Sequence, residues 1–94
     1  MAAEPEKVVR IMMRDGMPVP EQDPIELKQG MQRLKWSADF EFRITIEDYD
    51  ELQYSDGDAR RYHCRTGLFP TVRSHKYTIS ANGVDNDPSI DIKP

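Results

Sequence analysis

The sequence predicts an all-β protein, a two-sheet antiparallel β-sandwich of about seven strands, on three observations. First, Phe40, Phe42, Ile44 and Ile46 alternate strictly with Glu41, Arg43, Thr45 and Glu47. Successive side chains of a strand point to opposite faces, so this segment has one apolar and one wet surface, whereas a helix needs apolar residues every three to four positions. Second, the same rhythm returns elsewhere, punctuated by turn signals such as Asp15-Gly16 and Asn82-Gly83. Third, no stretch carries a convincing helical pattern, and there is no internal repeat.

Taken in order, Met1 to Glu6 is a polar, proline-containing lead expected to be disordered, and residues 7–94 form a single domain. A chain of 94 residues supports one core and is near the size at which apolar burial becomes marginal. Lys7 to Met13 reads as the first strand, with Val9, Ile11 and Met13 on one face and Val8, Arg10 and Met12 on the other. After the Asp15-Gly16 turn, Pro18, Pro20 and Pro24 confine Met17 to Pro24 to an edge strand or, as the better fit, extended irregular chain, because proline cannot donate to a ladder. Ile25 and Leu27 alternate with Glu26 and Lys28, and Leu34 and Trp36 alternate with Arg33 and Lys35. Gly30 between them is expected to turn a hairpin at a position that needs φ above zero.

Beyond Ile46 the composition changes. Glu47, Asp48, Asp50, Glu51, Asp56 and Asp58 crowd a stretch expected to be a long connection, with a turn at Ser55-Asp56-Gly57-Asp58. Tyr62 and Cys64 then alternate with Arg61, His63 and Arg65 in a short half-buried strand, and Gly67 to Ser74, with Pro70, crosses over. Tyr77, Ile79 and Ala81 form a strand ending at the Asn82-Gly83 hairpin, and Ile90 and Ile92 close the chain on a last one. Trp36 and the Phe40 to Ile46 face are the expected core.

Composition excludes several functions. A net charge of −4 gives no overall attraction to phosphate, since non-specific nucleic-acid affinity needs Lys and Arg to displace counterions. A general nucleic-acid binder is therefore not expected. One cysteine, Cys64, forbids an intramolecular disulfide. The first residues show no basic segment followed by an apolar run, and nothing approaches the ~20 apolar residues of a membrane span, so the expected setting is cytoplasmic and without membrane contact.

The residues able to carry chemistry fall into three groups. His63, Cys64 and His75 are soft-ligand candidates, but adjacent residues of a strand point apart and the spacing is not a zinc pattern, so Cys64 is expected to be a buried small hydrophobe. Asp48, Asp50, Asp56 and Asp58 offer hard oxygens without the spacing of an EF-hand loop, which favours a solvated acidic loop. No acid occurs between Ala59 and Val84, so Arg60, Arg61, Arg65, Arg73 and Lys76 form the candidate surface for a partner or an anion, against the alternative of an ordinary wet strand face. No nucleophile has a visible partner and no phosphate loop or HExxH pattern is present, so neither enzyme activity nor a cofactor is expected.

Pro24-Ile25-Glu26-Leu27-Lys28-Gln29-Gly30 with Leu34-Lys35-Trp36 resembles the strand, glycine turn and tryptophan strand near the start of cupredoxin-like domains. The closing Tyr77 to Gly83 and Asp87 to Ile92 segments resemble the end of small bacterial sandwiches of that type. About half the chain is covered, and the implied fold is a sandwich of the cupredoxin or immunoglobulin-like kind. The copper site that the resemblance would bring has no carrier here: Trp36 is followed by Ser37, Ala38, Asp39 and Phe40 rather than a histidine, and Ser80 stands where the cysteine would align. The expected function is a non-catalytic binding or interaction module with a protein partner. The alternatives are a self-assembling structural protein and, last, metal-dependent redox chemistry.

Overall fold

The computed structural model describes residues 6–56 and 62–94. Ten strands run through them: β1 (Glu6–Arg14), β2 (Met17–Pro20), β3 (Ile25–Lys28), β4 (Arg33–Ala38), β5 (Arg43–Ile46), β6 (Leu52–Asp56), β7 (Tyr62–Thr66), β8 (Ser74–Ala81), β9 (Val84–Asn86) and β10 (Ser89–Lys93). They make two packed sheets, one in the order β2-β1-β4-β7-β6 and the other β3-β10-β8-β5, with β9 paired to β8. The all-β sandwich is present, with ten strands rather than about seven. Most ladders are antiparallel, but β1 runs parallel to β4 and β10 parallel to β3.

The alternation that predicted the strands is what closes the two layers. Val9 and Ile11 of β1, Leu34, Trp36 and Ala38 of β4 and Cys64 of β7 are buried from one sheet. Ile25 and Leu27 of β3, Ile44 and Ile46 of β5, Tyr77, Ile79 and Ala81 of β8, and Ile90 and Ile92 of β10 are buried from the other. At the centre the Trp36 indole lies 5.2 Å from the Tyr77 ring, tilted by 47°, and its Nε1–H donates to the Tyr77 hydroxyl at 3.4 Å. A tilted aromatic pair and a partner for each polar tip are what let such large rings sit in a dry core.

Gly30 adopts the left-handed backbone expected of it, at φ +64°. The turn it makes is not a hairpin, however. β3 pairs with β10 and β4 with β1 and β7, so Gln29 to Gln32 carries the chain from one sheet to the other. The reason is visible in the burial: Ile25 and Leu27 face Leu34 and Trp36 across the core, which two neighbours in one sheet cannot do. The crossover is fixed by backbone bonds, Gln29 N–H to Lys93 O at 2.7 Å and Gly30 N–H to Phe69 O at 2.8 Å. The Asn82-Gly83 turn does join a hairpin, with φ of 52° and 76°, the doubly left-handed turn that matches strand twist.

Four further differences from the sequence reading are local. Met17–Pro20 is an edge strand, and Glu6, placed in the lead by composition, already belongs to β1. The acidic stretch is not all connection, because β6 lies within it, pairing with β7 through Leu52↔Thr66 and Tyr54↔Cys64. The Phe40 to Ile46 alternation is a strand only from Arg43, although Phe42 is still buried. The Tyr54 hydroxyl accepts from Ile44 N–H at 2.8 Å and donates to Ile44 O at 3.0 Å. One phenol thus satisfies both backbone groups of a residue on edge strand β5 and ties the two sheets together along that side.

Trp36 is fully buried. Trp36→Ala is expected to destabilise the fold by ~3–5 kcal/mol in denaturant unfolding, because little around a sandwich core can collapse into the space. An unchanged unfolding midpoint would show that the indole is not what holds the sheets together.

Candidate interaction surface

Of the basic residues singled out by the sequence, the described ones, Arg65, Arg73 and Lys76, are placed on different parts of the fold. Arg60 and Arg61 lie outside the described residues. Arg65 projects from β7 on the outer face of the β1-containing sheet, opposite buried Cys64 and Thr66, and its Nε donates to Glu6 Oε2 at 3.1 Å. Lys76 projects from the outer face of the other sheet, between buried His75 and Tyr77. Arg73, in the crossover before β8, pairs with Asp48 at 3.4 Å and donates from Nε to Ser74 O. Two sheets back to back turn Arg65 and Lys76 in opposite directions.

A different surface is assembled at the β1–β2 hairpin. The ladder between β1 and β4 stops at Arg10↔Ser37, whereas β1 continues with β2 through Ile11↔Pro20 to Arg14↔Met17. The tip is therefore a two-stranded ribbon running past its neighbour. Its inner side is anchored by buried Ile11 and Pro18, and the Asn86 side-chain amide donates to Pro18 O at 3.0 Å. Its outer side carries Met12 and Met17, which are 38% and 40% exposed, with Arg14, and the same face continues into the β1–β4 ladder through Arg10 and Val8, the latter 50% exposed. Arg10 reaches Asp39 at 4.0 Å, both side chains being well exposed. Sequence reasoning missed this surface, although the signal was there: Met12 sits in the strand's wet register with Val8, and the Asp15-Gly16 turn is flanked by Met12, Met13 and Met17.

At the opposite end of the same sheet an open cleft of about 720 Å³ is lined by Glu6, Arg33, Asp50, Glu51, Leu52, Gln53, Arg65, Thr66 and Gly67. Three carboxylates face two guanidinium groups there, an acid majority. Beside it the Tyr49 hydroxyl accepts from Gly67 N–H at 2.7 Å, and the Tyr49 ring stacks on Phe69 at 4.5 Å. Burial pushes the Tyr49 phenol above its usual range, so it stays protonated at neutral pH and adds no charge.

The soft-ligand candidates are kept apart. Cys64 is buried in β7, where burial pushes its thiol up to about 11. His75 is buried in the other sheet, its ring 5.4 Å from Phe69 and its Nδ1 at 3.0 Å from Glu47 O. Among the described residues no group of three or more His, Cys, Asp or Glu is placed to hold a metal ion. Among the described residues no helix is long and apolar enough to cross a membrane, which says nothing of β-barrels.

Fold and surface together define a two-sheet β-sandwich with a projecting hairpin and a polar cleft at its other end. Compared with family models, with curated proteins and with solved structures, the chain matches none.

The buried thiol and phenols give the fold a set alkaline limit. Cys64 is raised from 9.0 to about 11, and Tyr49, Tyr54 and Tyr77 are all raised from 10.0, burial being the largest cause in each. An acid whose folded pKa is raised adds stability that is complete below its unfolded pKa and lost as pH climbs through the folded one. Stability to urea is therefore expected to be flat near neutrality and to fall from about pH 9 upward, with Cys64→Ala losing on the order of 2 kcal/mol of that fall. A thiol that reacts with a maleimide in the native state at pH 8 as fast as in urea would contradict the burial.

Proposed function

We propose that this chain is a non-catalytic interaction module that docks an acidic protein surface through the outer side of its β1–β2 hairpin. The observation that carries the reading is the joint exposure of Val8, Met12 and Met17 on the side from which Arg10 and Arg14 project. Met and Arg are the flexible and the planar cationic residues enriched at protein interfaces. An acidic partner places carboxylates on the arginines and apolar groups on the thioethers. The flat ribbon offers no enclosed site for a small substrate.

We read the scaffold as cupredoxin-like without the copper function. Supporting that reading is the repeated crossing of the chain between sheets, which leaves β1 beside β4 and β3 beside β10 in parallel. The proposed setting is cytoplasmic, in keeping with a single thiol that is buried rather than poised for pairing.

Titration of the protein with a synthetic peptide of alternating glutamate and leucine tests this, read by backbone amide shifts. Shifts are expected at Val8 to Met17, with affinity falling about tenfold or more in a doubly reversed Arg10→Glu, Arg14→Glu variant and unchanged in Lys76→Glu. Equal weakening by Lys76→Glu, or shifts confined to other strands, would overturn the assignment.

A further inference from the structure

We propose that the partner of the hairpin is a second copy of this chain, whose acidic cleft receives the hairpin tip. The inference rests on the reading of the hairpin as a docking element and adds to it the identity of the occupant. Its basis is that this one molecule carries both halves of a complementary contact. The hairpin presents Arg10 and Arg14 with Met12 and Met17, and the cleft presents Glu6, Asp50 and Glu51 with Leu52 in its wall. The arginines meet the acid majority of the cleft and the thioethers meet Leu52. On the hairpin side Asp15 lies at the turn, and Arg10 is flanked by Glu21, which accepts from its backbone N–H at 2.9 Å, and by Asp39 at 4.0 Å. That leaves Arg14 as the cation with no carboxylate drawn onto it among the described residues; in the cleft Arg65 is held by Glu6, which leaves Asp50 and Glu51 for the incoming cation.

Geometry decides that the contact is between molecules. Glu6 lines the cleft and Arg14 borders the tip, and they are the first and last residues of nine-residue β1. At ~3.3 Å per residue they stand roughly 26 Å apart along a strand that cannot fold back on itself. That span is large against a molecule 35 Å in its longest dimension, so the tip of the hairpin lies far from the cleft of its own chain. A hairpin that cannot reach its own cleft can reach that of a neighbour. Each copy offers one hairpin and one cleft, so the contact either closes as a two-fold dimer in which each hairpin enters the other copy's cleft, or repeats into a chain or ring, according to the rotation between copies.

The test is sedimentation of the full chain over a range of concentrations at low and high salt. The expected result is a mass that climbs with concentration at low salt and falls toward the monomer at high salt, because exposed charge pairs are screened. An Arg10→Glu, Arg14→Glu variant and an Asp50→Lys, Glu51→Lys variant should each lose association at least about tenfold, and mixing them in equal amounts should restore it, since each keeps the half that the other lacks. Thermal melts verify that both fold. Should either fail to fold, Met12→Gln with Met17→Gln, exposed positions that bear no charge, is expected to weaken association in its place.

A wild-type chain that stays monomeric at low salt overturns the proposal, and so does a mixture of folded variants that fails to associate. A monomer that still binds the glutamate–leucine peptide through the hairpin removes the second copy as occupant and leaves the docking reading standing. Association that ignores hairpin charge reversal removes both.

Discussion

The contact of the Trp36 indole with the Tyr77 ring across the core is what the rest of the structure is arranged around. It joins the central strand of one sheet to a central strand of the other, and it is buried on every side. Two large rings can be dry only if their polar tips meet, which they do, and only if aliphatic side chains surround them from both layers. Val9, Leu34, Ile25, Ile79 and Ile90 supply that surround. Other hydroxyls follow the same logic, buried Thr66 accepting from Leu34 N–H at 3.1 Å and half-exposed Tyr54 serving both backbone groups of Ile44. No buried side-chain nitrogen or oxygen among the described residues is left without a partner.

With the sheets held that way, function is left to the ends. The parallel ladder between β1 and β4 ends at Arg10, and everything beyond it on β1 and β2 is ribbon. Prolines at positions 18 and 20 keep β2 from recruiting another strand along its edge, so that what the ribbon offers is its face rather than its backbone. At the other end, the turn into β6 and the start of the crossover after β7 leave an opening where Glu6, Asp50 and Glu51 gather. One strand, β1, thus connects a cationic thioether surface to a carboxylate-rich one.

Much of the fold was legible in the sequence, and the limit of legibility is physical. A period of two tells which face of a strand is buried, and Phe42, Ile44, Tyr77, Ile79, Ile90 and Ile92 all lie where it put them. It does not tell which strands are neighbours. Ile25 to Lys28 and Arg33 to Ala38 have the pattern of a hairpin around Gly30 and are members of opposite sheets, because alternation is the same whether a strand's partner is beside it or across the core. β6 was hidden by its acidic flanks, since Leu52 and Tyr54 alone make too short a rhythm. For a related reason, spacing along the chain did not tell that Arg65 and Lys76, eleven residues apart in the sequence, are on strands of different sheets. The hairpin tip was marked only by methionines in wet positions, a signal that gains meaning once burial is known.

The most direct test of this architecture is the pattern of cross-strand nuclear Overhauser contacts around β4. The account predicts contacts from Leu34 and Trp36 backbone protons to Lys7 and Val9 on one side, from Trp36 to Cys64 on the other, and from the indole to the Tyr77 ring. Contacts pairing the backbone of Ile25 to Lys28 with that of Arg33 to Trp36 would instead place both strands in one sheet, and the core and the projecting hairpin described above would fall with that result.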